Sequence, residues 1–471
     1  MRKLNKLVIR GIVYTILLVS ALWCVSEILT KNSQQEYISI EYNNTEGVKL
    51  FYAKREKYTL EHPNKPQNMW VKIVDNKIII RRLAFHDTRD PSHHSVVFNC
   101  MYDDRLDLPS LRDKDHDYRN LTKLYALITF KTHSARCFQL EYWTHNGERH
   151  TRKRFKEIYN NYILRTPGSV NEEPIFAQIS THKHCNDLSD YIPIKDNKTE
   201  KNYTYGLCIH QSLYNLTQPE MLVHWVELNI ALGAEIMTVY LQNDYISETY
   251  YTLMIPYIKK GVVEVLDWGL KPPIIPGYTK AWGQNGVITE CIYRNMYRVK
   301  YLGLSDLDEF FVPQKVKTIP EMIKGFENSF FRGRMARRAS SFTFHNIYFH
   351  KRERMLPELS NTSILQDCPG MELPRYYTFT ARSSFKTPEY FNKIIVRPRA
   401  VISAWIHRVN VPLKGFSRKF GVSVSDGVSQ HYRVPEKEIK RPQTTFTMSR
   451  YFHETLRGIK RELCKKNTGT A

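Results

Sequence analysis

No two of the eight cysteines stand in a C-x-x-C pair, so zinc-ribbon spacing is absent. The chain also lacks a G-x-S-x-G elbow, an H-E-x-x-H helix and a G-x-x-x-x-G-K-[ST] loop. Those absences leave a serine hydrolase, a zinc protease and a P-loop enzyme without support. Internal repeats and low-complexity tracts are missing too. Acidic charge is in deficit, with 47 Asp and Glu against 69 Lys and Arg, a net charge of +22. That excess favours partners carrying phosphate, sulfate or anionic lipid. What is present is an apolar share of 42% in 471 residues, enough for two ordinary domains with packed cores.

A long apolar run is lacking as well. The nearest approach is Gly11 to Ser26, roughly 16 residues, against the roughly 20 that span an average bilayer. Arg2, Lys3, Lys6 and Arg10 precede it, whereas Glu27, Lys31 and Glu36 follow, an asymmetry that predicts a cytosolic N-terminus. Snorkelling of Arg10 and Lys6 and extension to Leu29 suit a thin membrane. The reading is a cytosolic tail over residues 1–10 and a signal anchor over residues 11–29. The rival, a cleaved signal peptide, lacks a small-x-small site at the end of the run. A lumenal body meets no chromatin, which argues against nucleic acid as the partner of the positive charge.

Six N-x-S/T sequons begin at Asn43, Asn120, Asn197, Asn202, Asn215 and Asn361, all on the expected lumenal side. In an oxidising lumen Cys100, Cys137, Cys185, Cys208, Cys291, Cys368 and Cys464 tend to pair, leaving one over. Residues 30–66 are polar and read as a stem. Residues 67–165 hold short apolar runs, Trp70 to Val74, Ile78 to Ile80, Val96 to Phe98, Leu124 to Phe130 and Cys137 to Trp143, which predict a small β-rich domain. Residues 166–203 carry Pro167, Gly168, Pro174 and Pro193 and read as a connection.

From residue 204 to 471 the rhythm changes to strand, helix, strand, helix. Tyr205 to His210 predicts a strand, and Thr217-Gln-Pro-Glu220 a capping box opening a helix with Met221, Trp225, Leu228 and Leu232 on one stripe. Strands follow at Ile236 to Leu241, Val262 to Leu266 and Tyr301 to Leu304, with helices at Ser247 to Lys260 and Gln284 to Lys300. Such alternation predicts an α/β domain with a mostly parallel sheet covered by helices.

The fourth strand runs into Ser305-Asp-Leu-Asp-Glu-Phe-Phe311, and open parallel sheets bind ligands beyond the carboxyl ends of their strands. In an extended segment Asp306 and Asp308 share one side, with Leu307 opposite, so both can face one hard cation. The alternative is a pair of strand-end carboxylates bound to nearby Arg or Lys. A second run, Asp113, Asp115 and Asp117, is read as a solvated turn, because Tyr118 and Leu124 stand where a calcium loop needs Gly and Glu.

The stretch from Tyr205 to Arg433 resembles glycosyltransferase family 92. The likeness rests on His224-Trp-Val-Glu-Leu-Asn-Ile-Ala-Leu-Gly233, the Gly283-Gln284 helix start with Glu290-Cys291 and Arg294, Ser305 to Pro313, Lys393-Ile-Ile-Val-Arg-Pro398, Ile406-His407 and His431-Tyr-Arg433. It implies a GT-A, Rossmann-like fold and a type II protein of the Golgi or secretory membrane. It also implies a Mn²⁺- or Mg²⁺-dependent, inverting transfer from a UDP-sugar, galactose above all, to a glycan acceptor. By the same resemblance Asp306 and Asp308 become the D-x-D metal site, with His407 a further ligand, or else a satisfied histidine beside Trp405. Glu309, Gln284, Glu290, Arg294, His431 and Arg433 become donor-site residues. Where the family pattern has Asp-Cys this chain has Glu290-Cys291, one methylene longer. The general base is open among Asp367, Glu372 and Asp426.

Two basic runs, Arg332, Arg334, Arg337 and Arg338, and Arg152, Lys153, Arg154 and Lys156, read as solvated surface or as contacts for anionic glycans or lipid headgroups. The competing reading of the whole chain is a catalytically inactive lumenal relative that binds glycans or acts as a scaffold; Asp306, Asp308 and Glu309 speak against it.

Overall fold

The computed structural model describes residues 37–43, 47–53, 69–74, 77–103, 121–146, 159–195, 202–214, 218–242, 248–270, 283–351, 373–383, 391–433, 443–445 and 447–464. Met1–Lys65 and Pro66–Ala471 are separate compact units. In the first, β1 (Tyr37–Asn43) and β2 (Gly47–Ala53) form an antiparallel hairpin where the composition predicts an unstructured stem. The anchor run lies outside the described residues, and no helix among those described is long and apolar enough to cross a membrane.

Pro66–Ala471 opens with a nine-stranded sheet. Its strands are β3 (Trp70–Val74), β4 (Ile78–Asp87), β5 (Ser95–Tyr102), β6 (Tyr125–Phe130), β7 (Ala135–Gln139), β8 (Glu141–Asn146), β9 (Asn160–Arg165), β10 (Pro174–Ser180) and β11 (Ile192–Lys195). They lie in the order β7-β6-β10-β11-β4-β5-β9-β8, with β3 on β4. Residues 166–203 are thus more than a connection, since they supply β10 and β11. β6 alternates half-buried and buried residues, the period of a one-sided strand, whereas β5 is buried throughout. Val96, Phe98, Cys100 and Tyr102 of β5 fill this sheet's own core; Met101 points the other way, into a core shared with the second half of the chain.

The second half begins as predicted, with β12 (Tyr203–Ile209), α1 (Glu220–Ala231), β13 (Ile236–Leu241), α2 (Glu248–Lys259), β14 (Val263–Asp267), α3 (Gln284–Asn295) and β15 (Val299–Ser305). It continues through β16 (Glu309–Pro313), α4 (Ile319–Asn328), α5 (Gly333–Arg338), β17 (Ser341–Phe344), β18 (Asn346–Lys351), α6 (Arg375–Thr378), β19 (Ala381–Arg382) and β20 (Lys393–Val396). Last come β21 (Val401–Trp405), β22 (Arg408–Pro412), β23 (Phe420–Gly421), β24 (Gly427–Tyr432), β25 (Gln443–Thr444) and α7 (Phe452–Leu463). The main sheet runs β14-β13-β12-β15-β20-β17-β23, and a second runs β16-β24-β18-β19-β25. Six of the seven strands of the main sheet run in one direction, and β20 alone is reversed, antiparallel to both its neighbours, so the sheet is mostly parallel with one reversed strand.

Three local expectations are corrected. The N-cap of α1 is Pro219, with no side-chain bond, rather than Thr217, which lies outside the described residues. The helix is buried on nearly every side rather than along one stripe, because α7 covers it. A Cβ at Gly458 of α7 would meet Glu227 Oε2 of α1 at 1.8 Å, so any larger residue there would have to displace the Glu227 carboxylate. And α3 stops at Asn295, whose Nδ2 donates to Cys291 O at 2.8 Å while Arg298 Nε donates to its Oδ1 at 2.8 Å, turning the chain into β15.

α3 packs against both halves. Trp70 Nε1 donates to Trp268 O at 2.8 Å, and the two indoles meet edge to face beside Val287, Ile288 and Ile292 of the helix. Each such large apolar side chain contributes about 1.5–3 kcal/mol by leaving water. Disulfides join Cys137 to Cys185 and Cys208 to Cys291; Cys464 is bonded to a cysteine outside the described residues, and Cys100 is a buried free thiol.

Candidate active site

Three neighbouring strands end at one rim. β12 and β15 are parallel with Ile209 opposite Ser305, so His210 and Asp306 leave the sheet side by side. β20 runs the other way with Ile394 opposite Leu304, which brings Lys393 to the same rim. The chain then changes sheets. Glu309 N donates to Asp306 O at 3.3 Å, closing a turn, and β16 starts at Glu309. Asp306 and Asp308 therefore sit on a turn, not on the extended segment that alternation predicts; period-two reasoning stops where a strand leaves its sheet. In the second sheet Glu309 lies opposite His431, and His431 opposite Tyr348, whose ring stacks on the imidazole at 4.9 Å.

These residues form one ionic cluster. Lys393 Nζ is 2.6 Å from Glu309 Oε2 and 3.4 Å from Asp306 Oδ2, and it lies 3.3 Å from His210 Nε2. Gln284 Nε2 donates to His210 Nδ1 at 2.9 Å, and in that tautomer Nε2–H faces Asp306 Oδ2 at 3.3 Å. On the other side His431 reaches Asp308 Oδ2 at 3.3 Å through Nε2 and Glu309 Oε1 at 3.0 Å through Nδ1.

Burial alone would neutralise such groups, but the partners overcome it. Desolvation pushes the Asp306 carboxyl up, yet His210 and Lys393 hold it well below the usual carboxylate range. Glu309 is treated likewise, with Lys393 the strongest opposing charge. His431 is lifted to about 10: burial opposes its charge, and Glu309 and Asp308 outweigh burial. The carboxylates of Asp306, Asp308 and Glu309 thus face Lys393, His431 and the imidazole of His210.

His210, Asp306 and Glu309 offer ligand atoms within 4.8 Å of one another, spacing that could hold a metal ion. Lys393 already fills that inner side, and its ammonium opposes a second cation there. The outer side differs. The side chains of Asp306 and Asp308 remain 24% and 23% exposed, so their carboxylates reach the rim, while Glu309 at 1% does not. Beside Asp308 opens a cleft lined by Met221, His224, Leu307, Phe310, Tyr376 and Tyr432.

His407 lies near this group without a hydrogen bond to it. Its Nδ1 bonds Asn392 O at 2.8 Å, and its ring meets Trp405 and Phe391 edge to face. Burial, then the Lys393 charge, lowers its pKa to about 4, so the ring is neutral with Nε2 as the acceptor nitrogen.

Other expected residues lie elsewhere. Glu290 and Arg294 do not reach the rim. Glu290 is fully buried, paired with Arg81 of β4 at 2.6 Å and Arg294 at 2.9 Å, and Arg294 continues to Glu264 at 3.6 Å. That network joins α3 to the nine-stranded sheet, which accounts for the carboxylate without a donor contact. Gln284 stands behind His210, and Arg433 is exposed at the end of β24. Asp426 lies at the opposite end of the β16–β24 pair, where Pro313 faces Gly427, and is bound to Lys315 at 2.7 Å, so it is not brought together with Asp306 and Asp308. Asp367, Glu372, Asp113, Asp115, Asp117, the Arg152 to Lys156 run and sequons Asn120, Asn197, Asn215 and Asn361 lie outside the described residues; Asn202 is exposed and Asn43 ends β1.

His210 and Lys393 were not singled out from sequence, although both sit at strand ends and Lys393 opens one of the quoted segments. The signal was positional: the strand-end rule that selects Asp306 selects the last residue of its parallel neighbour and the first of its antiparallel one.

The sequence signature of Glycosyltransferase family 92 matches residues 203–466, more than half of the chain. Beta-1,4-galactosyltransferase galt-1 of Caenorhabditis elegans is 23% identical over 282 residues, covering 56% of this chain and 64% of that protein. The chain therefore spans just under two thirds of that relative's length.

Proposed function

The chain belongs to glycosyltransferase family 92, and from that premise we propose that it transfers galactose from UDP-galactose to a glycan acceptor, with inversion and with a divalent metal. One observation carries this reading: Asp306 and Asp308 share a turn beyond the carboxyl ends of parallel strands, with partly exposed carboxylates and a positively charged inner wall. The four parallel strands and helices α1 to α3 are in keeping with a GT-A fold. Asp306, Asp308 and the neutral imidazole of His407 are the groups to hold Mn²⁺ or Mg²⁺, a donor set suited to a hard ion. Such an ion, when bound, neutralises charge on the departing diphosphate. Lys393 and His431 keep Asp306 and Glu309 ionised, His210 orients Asp306, and the aromatic cleft beside Asp308 gives a sugar an apolar face to rest on. The relative named above, a galactosyltransferase, supports galactose as the donor sugar.

The site of action in this proposal is a Golgi or other secretory membrane, with residues 11–29 as the anchor; the disulfides among the described residues support an oxidising lumen. The test is Mn²⁺-dependent hydrolysis of UDP-galactose by the purified chain against an Asp306→Ala/Asp308→Ala version. A loss of roughly a hundredfold or more is expected, as for removal of a group stabilising developing charge. Equal rates would overturn the assignment, and transfer from another UDP-sugar alone would replace galactose.

A further inference from the structure

The corner between α4 and α5 leaves large apolar groups in water. Phe330 and Phe331 are 93% and 88% exposed, and Met335 is 64% exposed. Exposed Arg332, Arg334, Arg337 and Arg338 surround them. A second segment adds exposed Lys414, Arg418 and Lys419. The two segments are stitched into one face: Arg332 Nη2 donates to Gly421 O at 2.8 Å, Arg338 Nη2 to Gly415 O at 3.3 Å and Ser340 Oγ to Arg418 O at 2.7 Å. No acidic residue stands between positions 328 and 338, and the carboxylate just before, Glu327, is already paired with Arg397 at 2.6 Å and Lys300 at 3.5 Å.

We propose that this face docks on an anionic phospholipid bilayer, with Phe330 and Phe331 entering the boundary between headgroups and acyl chains and the basic side chains meeting the headgroups. Apolar rings flanked by arginine are what an interfacial surface requires: burial supplies the hold, and charge supplies the choice of lipid. A guanidinium binds a phosphate through two parallel N–H groups, and Arg332 is pre-ordered for it by stacking on Phe420 at 4.4 Å. Charge complementarity decides against a second copy of this chain, since a self-contact would press seven cations against seven. Ring geometry decides against a sugar. The two phenyl rings stand at 88° with centroids 5.2 Å apart, a wedge rather than the flat platform a pyranose lies on. The proposal is independent of the transfer reading.

Vesicle flotation tests it. Pro66–Ala471 serves as the protein, because it is a compact unit with its own cores; vesicles are phosphatidylcholine alone or phosphatidylcholine with phosphatidylserine. Flotation is expected only with the anionic vesicles, weakening as salt rises. Phe330→Ser/Phe331→Ser should weaken it about tenfold or more, and Arg334→Glu/Lys414→Glu by about tenfold. All four side chains are exposed, so unchanged melting curves confirm that the variants fold. Equal binding to neutral vesicles, or equal binding by the phenylalanine variant, overturns the proposal. So does lipid-free dimerisation that the phenylalanine variant abolishes, or binding to heparin that survives it while flotation fails.

Discussion

Lys393 Nζ lies 2.6 Å from Glu309 Oε2, and the two side chains are 4% and 1% exposed. A buried pair of this kind is costly to break from one side, because the remaining charge has no water to turn to. Lys393→Met should lower unfolding free energy by about 3–5 kcal/mol in urea titrations. Adding Glu309→Gln should recover part of that, since one unbalanced carboxylate is then gone while Asp306 keeps His210 and His431 keeps Asp308. If the single and double variants are equally unstable, the pair does not act as a unit.

A different outcome is expected of Glu290. Its carboxylate joins Arg81 and Arg294 inside the protein, so its loss should cost stability and leave the donor site untouched. Glu290→Gln should lower stability by about 3 kcal/mol, with KM for the proposed donor, UDP-galactose, unchanged. A raised KM at unchanged stability would return this residue to the donor site.

That contrast shows where sequence was legible. The strand, helix, strand order from β12 to β15 could be read because apolar periodicity and glycine stops are local signals. The Asp306 turn was found through position, yet its backbone was misread, because nothing local marks the change from one sheet to the next. The family resemblance places Glu290 and Arg294 among the donor residues, and nothing local shows their buried pairing, because Arg81, the partner of Glu290, stands 209 residues away. The same distance hid Lys393 from His210, 183 residues apart and 3.3 Å in space. Prolines hide β10 and β11 in the sequence: Pro174 opens β10 beside a bulge, a place that tolerates proline, whereas Pro193 lies inside β11 between two other strands.

His224 gives stability a pH dependence. It is 7% exposed on α1, and burial lowers its pKa from 6.5 to about 4. In that interval the unfolded chain binds a proton that the folded protein refuses, so stability rises with pH. The contribution is complete above pH 6.5 and disappears as pH falls towards 4, a loss of up to about 3 kcal/mol. Urea titrations across that range should show the fall, and His224→Phe should flatten it. An unchanged slope in the variant would place the acid sensitivity in another group.

His210 is the sharpest test of how the proposed metal site is held. It touches Asp306 at 3.3 Å, is fixed from behind by Gln284 at 2.9 Å, and is itself only 1% exposed, so it meets neither donor nor acceptor. Its effect must pass through the carboxylate it orients. Partners of metal-bound side chains typically change affinity by roughly 10–100-fold. His210→Ala should therefore weaken Mn²⁺ binding by about that factor in calorimetry on the purified protein, with KM for the glycan acceptor unmoved at saturating metal. His210→Asn, which keeps a donor but lacks the ring's reach, should fall between the two. Were Mn²⁺ bound as tightly by the alanine variant as by the parent, Asp306 would not depend on this contact, and the ion would have to be sought away from the β12–β15 rim.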